Sequence, residues 1–321
     1  MPQVAEKIQR LLKYETAGHP ISGLKWTRKT TKNISRELEK LGINVSANTV
    51  CRLLKKMGYS LKVNCKKIES GNKNPPEPQK RDKQFGHIAD LREKFAKHKK
   101  PIISVDTKKK ELVGNFKNNG HCWQQMPVDV KDHDFPSDAV GKAIPYGIYD
   151  TQQNTGTLFV GTTRDTPSFA VDAIEKWWQI EGQSRYPNAK ELLVLADSGG
   201  SNSYRSRVWK YKIQKKICDQ FGISVVVSHY PPGSSKWNPI EHRLFSEISK
   251  NWAGRPLDSY ETVLKYIRTT KTSSGLKVKA HFVRKKYETG EKVSNIEMSK
   301  ISIKNHKSLP DWNYTLTPAK M

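Results

Sequence analysis

The sequence predicts an α/β protein, a mixed sheet flanked by helices, preceded by a small helix-turn-helix domain of winged-helix type. Three observations carry that expectation. Apolar residues recur at helical spacing between residues 30 and 57, two strand-like runs then follow each other as a hairpin, and further strand-like runs alternate with amphipathic segments. Antiparallel succession that gives way to alternating strands and helices fits a mixed sheet covered on both faces.

In chain order, Ile34, Leu38 and Leu41 mark one face of a short helix that Gly42 stops. Ser46 can cap a second helix, in which Val50, Leu53, Leu54 and Met57 share a face and Asn48, Arg52, Lys55 and Lys56 fill the rest before Gly58. In a helix-turn-helix this second helix would enter the major groove, and the alternating "YSLKVNCKKI" would be the wing. An ordinary helical hairpin with a solvated basic face has the same pattern.

The polar stretch "ESGNKNPPEPQKR" reads as a linker, which divides the chain into domains at 1–68 and 82–255 with a linker at 69–81 and a basic extension at 256–321. Past the linker, Phe85, Ile88, Leu91 and Phe95 are spaced for a helix, "PIISVD" is a buried strand, and "AIPYGIYDTQQNTGTLFVGTT" is a hairpin turning at "TQQNTG". "ELLVLAD" and "ISVVVSHY" are further buried strands. "TPSFAVDAIEKWWQIEG", "YRSRVWKYKIQKKICDQFG" and "NPIEHRLFSEISKNW" are helices, the last with Pro239 in its first turn.

Composition narrows the partner. Lys and Arg number 57 against 31 acidic residues, a net charge of +26, and self-repulsion on that scale is usually tolerated when a polyanion supplies the counter-charge; nucleic acid is the first partner to consider, although ribosome-associated and membrane-surface proteins are equally basic. Cys51, Cys65, Cys122 and Cys218 form no CxxC pair, so neither a zinc module nor a disulfide framework is indicated. The opening "MPQVAEKIQRLLKYETAG" lacks the apolar core of a signal peptide, and no run approaches the ~20 apolar residues of a membrane span. A reduced cytosol and no membrane partner are expected.

Against this basic background three acids occupy costly places. Asp106 ends one buried strand, Asp197 ends another, and Glu241 opens the helix after a third. Ligands of open α/β sheets collect beyond the carboxyl ends of the strands, so the three could share one site. Three carboxylates together call for a hard divalent cation with oxygen ligands, Mg²⁺ or Mn²⁺, as a pair of ions. Each residue also has a plain reading: Asp197 as the turn former before "SGGSN", Glu241 as a first-turn acid favoured by the helix dipole. Glu111, Asp134, Asp150 and Glu247 stand in less constrained contexts. In the loop before Glu241, Lys236 could meet a phosphate and Trp237 could stack on an unpaired base or fill core; His229 reads as a solvated strand end or a group that positions water.

The segment "PPGSSKWNPIEH" resembles the NPIE signature of mariner-like DDE transposases. Together with "ISVDTKKKELVGNFKN", "HDFP", "GKAIPYGIYD", "LADSGGSN" and "DWNYTL", it is similar over nearly the whole chain to the ISAzo-thirteen insertion-sequence transposases. The resemblance implies a ribonuclease-H-like catalytic domain, with Asp106, Asp197 and Glu241 as the metal ligands that cut and join DNA. It further implies binding to double-stranded terminal inverted repeats and target DNA, a homodimer or larger assembly, and a place on the bacterial nucleoid. Members of that family carry more helical sequence ahead of the part matching residues 1–25, so an N-terminally shortened copy is expected. A nuclease without strand transfer, or a regulator that occupies DNA without cutting it, are the competing readings.

Overall fold

A computed structural model describes residues 2–13, 17–18, 25–26, 30–61, 77–234 and 237–319. The chain divides into two compact units, 1–68 and 69–321.

The first unit contains helix α1 (Pro2–Lys13), a minimal antiparallel pair β1 (Ala17–Gly18) and β2 (Lys25–Trp26), and helices α2 (Thr31–Lys40) and α3 (Ala47–Lys56). Thr30 and Ser46 cap α2 and α3, each side chain accepting from the backbone N–H three residues on. Gly42 and Gly58 follow the two helices at φ of +76° and +83°, a conformation that costs glycine no Cβ clash. Ile8, Ile34, Leu38, Val50 and Leu53 form a small core. Leu41, expected on that apolar face, is instead half exposed at the end of α2. The expected wing lies almost entirely outside the described residues.

The second unit begins with α4 (Pro78–Lys97), so the segment read as linker already turns helical at its end, where Pro78 occupies the first turn. There follow β3 (Ile102–Thr107), β4 (Glu111–Val113), β5 (Gly141–Asp150), β6 (Thr155–Gly161), α5 (Pro167–Trp177), α6 (Gln183–Arg185), β7 (Glu191–Ala196), α7 (Arg207–Ile213) and β8 (Ser224–His229). Then come α8 (Ser246–Asn251), α9 (Tyr260–Arg268), β9 (Lys277–Phe282), α10 (Asn295–Met298), β10 (Ile303–Asn305) and β11 (Asn313–Leu316). The sheet runs in the order β10-β11-β8-β7-β3-β5-β6-β9, and β4 pairs with β5. At its centre β3 is parallel to β7 and antiparallel to β5. This is a mixed sheet flanked by helices, the ribonuclease-H-like arrangement.

The part read as a C-terminal extension belongs to this sheet. β11 pairs with β8 and β9 pairs with β6, so residues after 255 cover what would otherwise be the two edges of the central strands. Unpaired edges are hazards for a β protein, and the short strands β9 and β11 cover them here.

Alternation along the strands separates two faces. One face holds Ile103, Val105, Tyr146 and Ile148 under α5 and α7, with Trp177 and Trp209 fully buried. The other holds Ile102, Leu193 and Leu195 against Ile88 and Phe95 of α4, and Tyr149, Leu158 and Val160 against Ile240, Leu244, Phe245 and Ile248. Trp209 also donates its indole N–H to the Tyr314 hydroxyl at 2.9 Å, which ties α7 to β11. Trp209→Ala is therefore expected to cost about 3–5 kcal/mol, measurable as a lowered denaturation midpoint; a loss below about 1 kcal/mol would show that the region collapses around the gap.

Candidate active site

Two of the three acids are placed by strand register. Val105 of β3 lies beside Ala196 of parallel β7, so Asp106 and Asp197, one residue further along each chain, stand side by side at the carboxyl ends. Their side chains follow Ile102 and Ser104 on β3, and Leu193 and Leu195 on β7, onto the face that the Glu241 helix covers. Gly147, the partner of Asp106 across the β3 and β5 pair, makes room for that helix: a Cβ there would lie 2.5 Å from the Phe245 ring and 3.0 Å from Ile240 Cδ1.

Glu241 begins a segment, Glu241–Phe245, wound with the wide hydrogen bonding of a π-helix before α8 continues it. Trp178–Gly182 and Gln214–Asp219 are wound the same way, so the widened turn does not by itself mark the site. Sequence pattern carries no signal for them.

The electrostatics are those of crowded, desolvated acids. Asp106 is 8 % exposed; burial pushes its carboxyl well above the usual range, and the charges of Asp197 and Glu241 push it further, against a 2.7 Å hydrogen bond from the Thr107 N–H. Burial raises Asp197 to about 6, opposed by hydrogen bonds from Asn202 and the Gly199 backbone. Burial raises Glu241 too, opposed by Lys108, His242 and a hydrogen bond with Asp106. The three acids thus share one field. Among the described residues, no group of three or more His, Cys, Asp or Glu side chains stands close enough to form a ligand set. The donors are nonetheless carboxylate oxygens on one face, the kind that suits a hard divalent cation such as Mg²⁺ or Mn²⁺.

Four supporting groups escape a reading of the sequence. Asn202 donates to Asp197 at 3.3 Å while accepting from the Tyr146 hydroxyl at 2.8 Å; its one signal is its place in "LADSGGSN". Asp165, just before α5, accepts from the Thr107 hydroxyl at 3.0 Å and adds negative charge that raises both Asp106 and Asp197. Lys108 follows Asp106 on the same face, buried, 3.1 Å from Glu111 and 4.4 Å from the centre of the Trp252 ring. It borders a cavity of about 410 Å³ that Glu241, Asn118 and Ser246 also line. Asn238, the first residue of NPIE, is wholly buried.

His229 departs from the solvated strand end expected of it. Strand β11 covers it, and burial lowers its pKa to about 4. Its Nδ1 donates to the Asp197 carbonyl at 2.8 Å, since a carbonyl can only accept, and its Nε2 therefore receives the Tyr314 hydroxyl at 3.1 Å. A neutral imidazole thereby fixes the backbone of Asp197. Of the rival acids, Asp150 is fully buried at the opposite end of β3, held by Tyr186 at 3.0 Å and Arg185 at 3.5 Å, and Glu111 pairs with Lys108.

The remaining expected residues lie elsewhere. Asn48, Arg52, Lys55 and Lys56 are exposed on α3. Trp237 is 55 % exposed, edge-on to Phe85 at 6.1 Å, and does not fill core. Lys236 lies outside the described residues.

The model of the Rhodopirellula transposase DDE domain matches residues 7–318, nearly the entire chain. The chain belongs to this family of DDE transposases. Membership bears out the family expected from the motifs, and sets the class of chemistry as that of polynucleotidyl transferases and nucleases. Solved structures similar to this transposase-family chain include the Mos1 transposase paired-end complex with left transposon end, at 17 % identity over 82 % of this chain and 69 % of that one, TM-score 0.45. The Mos1 strand transfer complex is 16 % identical over 82 % and 68 %, TM-score 0.46. The Mos1 mariner paired-end complex with Mn is 19 % identical over 82 % and 69 %, TM-score 0.44. Comparison with curated proteins gave no match. Among the described residues, no helix of the transposase is long and apolar enough to cross a membrane.

Proposed function

We propose that the protein is a DNA transposase that binds the terminal inverted repeats of an insertion sequence, cuts the strands there and joins the freed 3′-hydroxyls to target DNA. One observation carries the reading: Asp106 and Asp197 stand level across the β3 and β7 pair, and the helix bearing Glu241 lies over the same face. Asp106, Asp197 and Glu241 would hold Mg²⁺ or Mn²⁺, as a pair of ions. Such ions, when bound, would supply the means to activate an oxygen nucleophile on one side of the phosphodiester and to neutralise charge on the leaving oxygen.

The chain's own residues do the rest. Burial of Asp106 and Asp197 keeps water from competing for their oxygens, Asn202 and His229 hold Asp197 by side chain and backbone, and Thr107 steadies Asp106. The exposed face of α3, with Asn48, Arg52, Lys55 and Lys56, serves as the recognition surface of the helix-turn-helix, and Lys236 and Trp237 contact DNA near the cut. Pairing two element ends calls for at least two copies of the chain, acting on the nucleoid.

The test is cleavage of a labelled duplex carrying an element end and its flank, in Mg²⁺, Mn²⁺ or chelator, by the wild type and Glu241→Gln. Metal-dependent nicking absent from the variant supports the reading. A precleaved end with a 3′-hydroxyl then separates the chemistries: joined product with a target plasmid marks a transposase, and its absence a nuclease. Salt-sensitive binding with no nicking under any metal would assign the chain a DNA-binding role alone.

Recognition has its own expected result. Arg52→Ala and Lys56→Ala should each weaken binding and flatten the plot of log affinity against log salt by about one unit for each phosphate that the side chain had neutralised. Fluorescence anisotropy across a salt series measures it, and unchanged slopes would remove α3 from the interface.

A further inference from the structure

The third acid reaches its place without the help of strand register. Glu241 sits on a helix, and helices slide and tilt on sheets more readily than paired strands slip, so a separate device must set its position. Ser104 is the residue on β3 that shares a face with Asp106, and its hydroxyl is wholly buried. It accepts from the Ile240 backbone N–H at 3.1 Å and donates to the Asn238 side-chain oxygen. The Asn238 side-chain nitrogen donates in turn to the Val105 carbonyl at 3.3 Å, and its backbone carbonyl accepts from the Glu241 N–H at 3.1 Å.

The Ile240 N–H belongs to a first helical turn, where backbone donors have no partner within the helix. A strand more than a hundred residues earlier in the chain supplies that partner, in place of the usual capping residue of the helix itself. Every hydrogen-bonding choice here is tied to geometry: the serine hydroxyl uses its one proton on Asn238 and a lone pair on Ile240. A buried serine in a central strand would otherwise cost stability. The two ends of the clasp flank the two acids, Ser104 before Asp106 and Asn238 before Glu241.

We propose that Ser104 and Asn238 are positioning residues that fix the distance between Glu241 and Asp106, and that their removal weakens the chemical step while DNA binding persists. The inference rests on the function proposed above. Misplacing a reacting group by about 1 Å costs roughly 10²-fold in rate, and loss of the clasp frees the start of the Glu241 helix on that scale.

The experiment compares Ser104→Ala, Ser104→Thr and Ser228→Ala in the full chain. Ser228 is the control because its hydroxyl is equally buried in the same sheet but bonds Gln84 and Asn313, with no link to Glu241. For each variant, kcat and KM for cleavage of the element-end duplex, the melting temperature and the affinity for Mn²⁺ by electron paramagnetic resonance are measured.

Ser104→Ala is expected to lower kcat about 10- to 100-fold, leave KM within about twofold and weaken Mn²⁺ binding. Ser104→Thr, which keeps the hydroxyl, restores both, and Ser228→Ala lowers the melting temperature without lowering kcat by more than about threefold. Asn238→Ala gives the same reading should Ser104→Ala unfold. An unchanged kcat and Mn²⁺ affinity in Ser104→Ala, or an equal loss in Ser228→Ala, overturns the proposal. If the wild type cuts no DNA under any metal, the functional reading fails by itself. Mn²⁺ affinity then decides the clasp alone: weaker binding in Ser104→Ala upholds it and equal binding refutes it.

Discussion

Asp197→Asn is expected to lose strand cleavage by about 10²- to 10³-fold or more, the scale on which removing one charge-stabilising group at a reacting centre is felt, while its affinity for DNA stays near that of the wild type. The same substitution is expected to raise the stability of the metal-free protein near pH 7. Burial and the neighbouring acids hold the Asp197 carboxyl at about 6, above its usual range, so its ionised form is disfavoured in the folded chain. An acid raised in this way stabilises the fold below its unfolded pKa and loses that stabilisation as pH rises through the folded one.

An amide of the same shape removes the charge and keeps an oxygen that can accept from Asn202, a gain on the order of 1–3 kcal/mol. Thermal melting at pH 7 in chelator checks it. Mg²⁺ should then raise the wild-type melting temperature by mass action and leave that of Asp197→Asn almost unmoved. A variant that cuts at the normal rate, or that melts no higher than the wild type in chelator, removes Asp197 from the site.

Gly147→Ala has the second large effect. Backbone strain is not the issue, since Gly147 is not among the residues at positive φ; space is. The added Cβ would lie 2.5 and 2.8 Å from two atoms of the Phe245 ring and 3.0 Å from Ile240, and both side chains are buried, with little room to retreat. Overpacking of this kind costs about 1–3 kcal/mol. Because Phe245 and Ile240 flank Glu241, the displacement is passed to the acid, and cleavage should fall by roughly 10²-fold.

Gly156→Ala is the useful comparison. Its Cβ meets the methyl ends of Leu244, 2.4 Å away, and a leucine tip can rotate aside more cheaply than a ring. Melting curves and single-turnover cleavage of the two variants should therefore separate, with Gly147→Ala the slower enzyme. Equal rates would mean that the helix floats on its side chains and that Gly147 does not set its height.

Much of the candidate site was legible because it is local. The apolar runs "PIISV" and "LLVLA" are too continuous for anything but buried strands, and an acid at the end of each is conspicuous. Other groups carried little or no signal. Asp165, Lys108 and Asn202 matter through neighbours 58, 3 and 5 positions away, and no periodicity distinguishes them from surface polar residues. His229 defies its local pattern for a related reason: the strand that buries it, β11, lies far along the chain in a stretch that looks like a basic tail.

The sequence by itself determined the central strands, the helices between them, the basic character and the family, because these depend on residue type at short spacing. Tertiary structure alone decided which acids share a face. Register between β3 and β7 makes neighbours of Asp106 and Asp197, and a serine inside β3 together with a missing side chain at Gly147 brings Glu241 onto the same face. Contacts between residues a hundred positions apart follow from how surfaces fit, and surfaces exist only once the chain has folded.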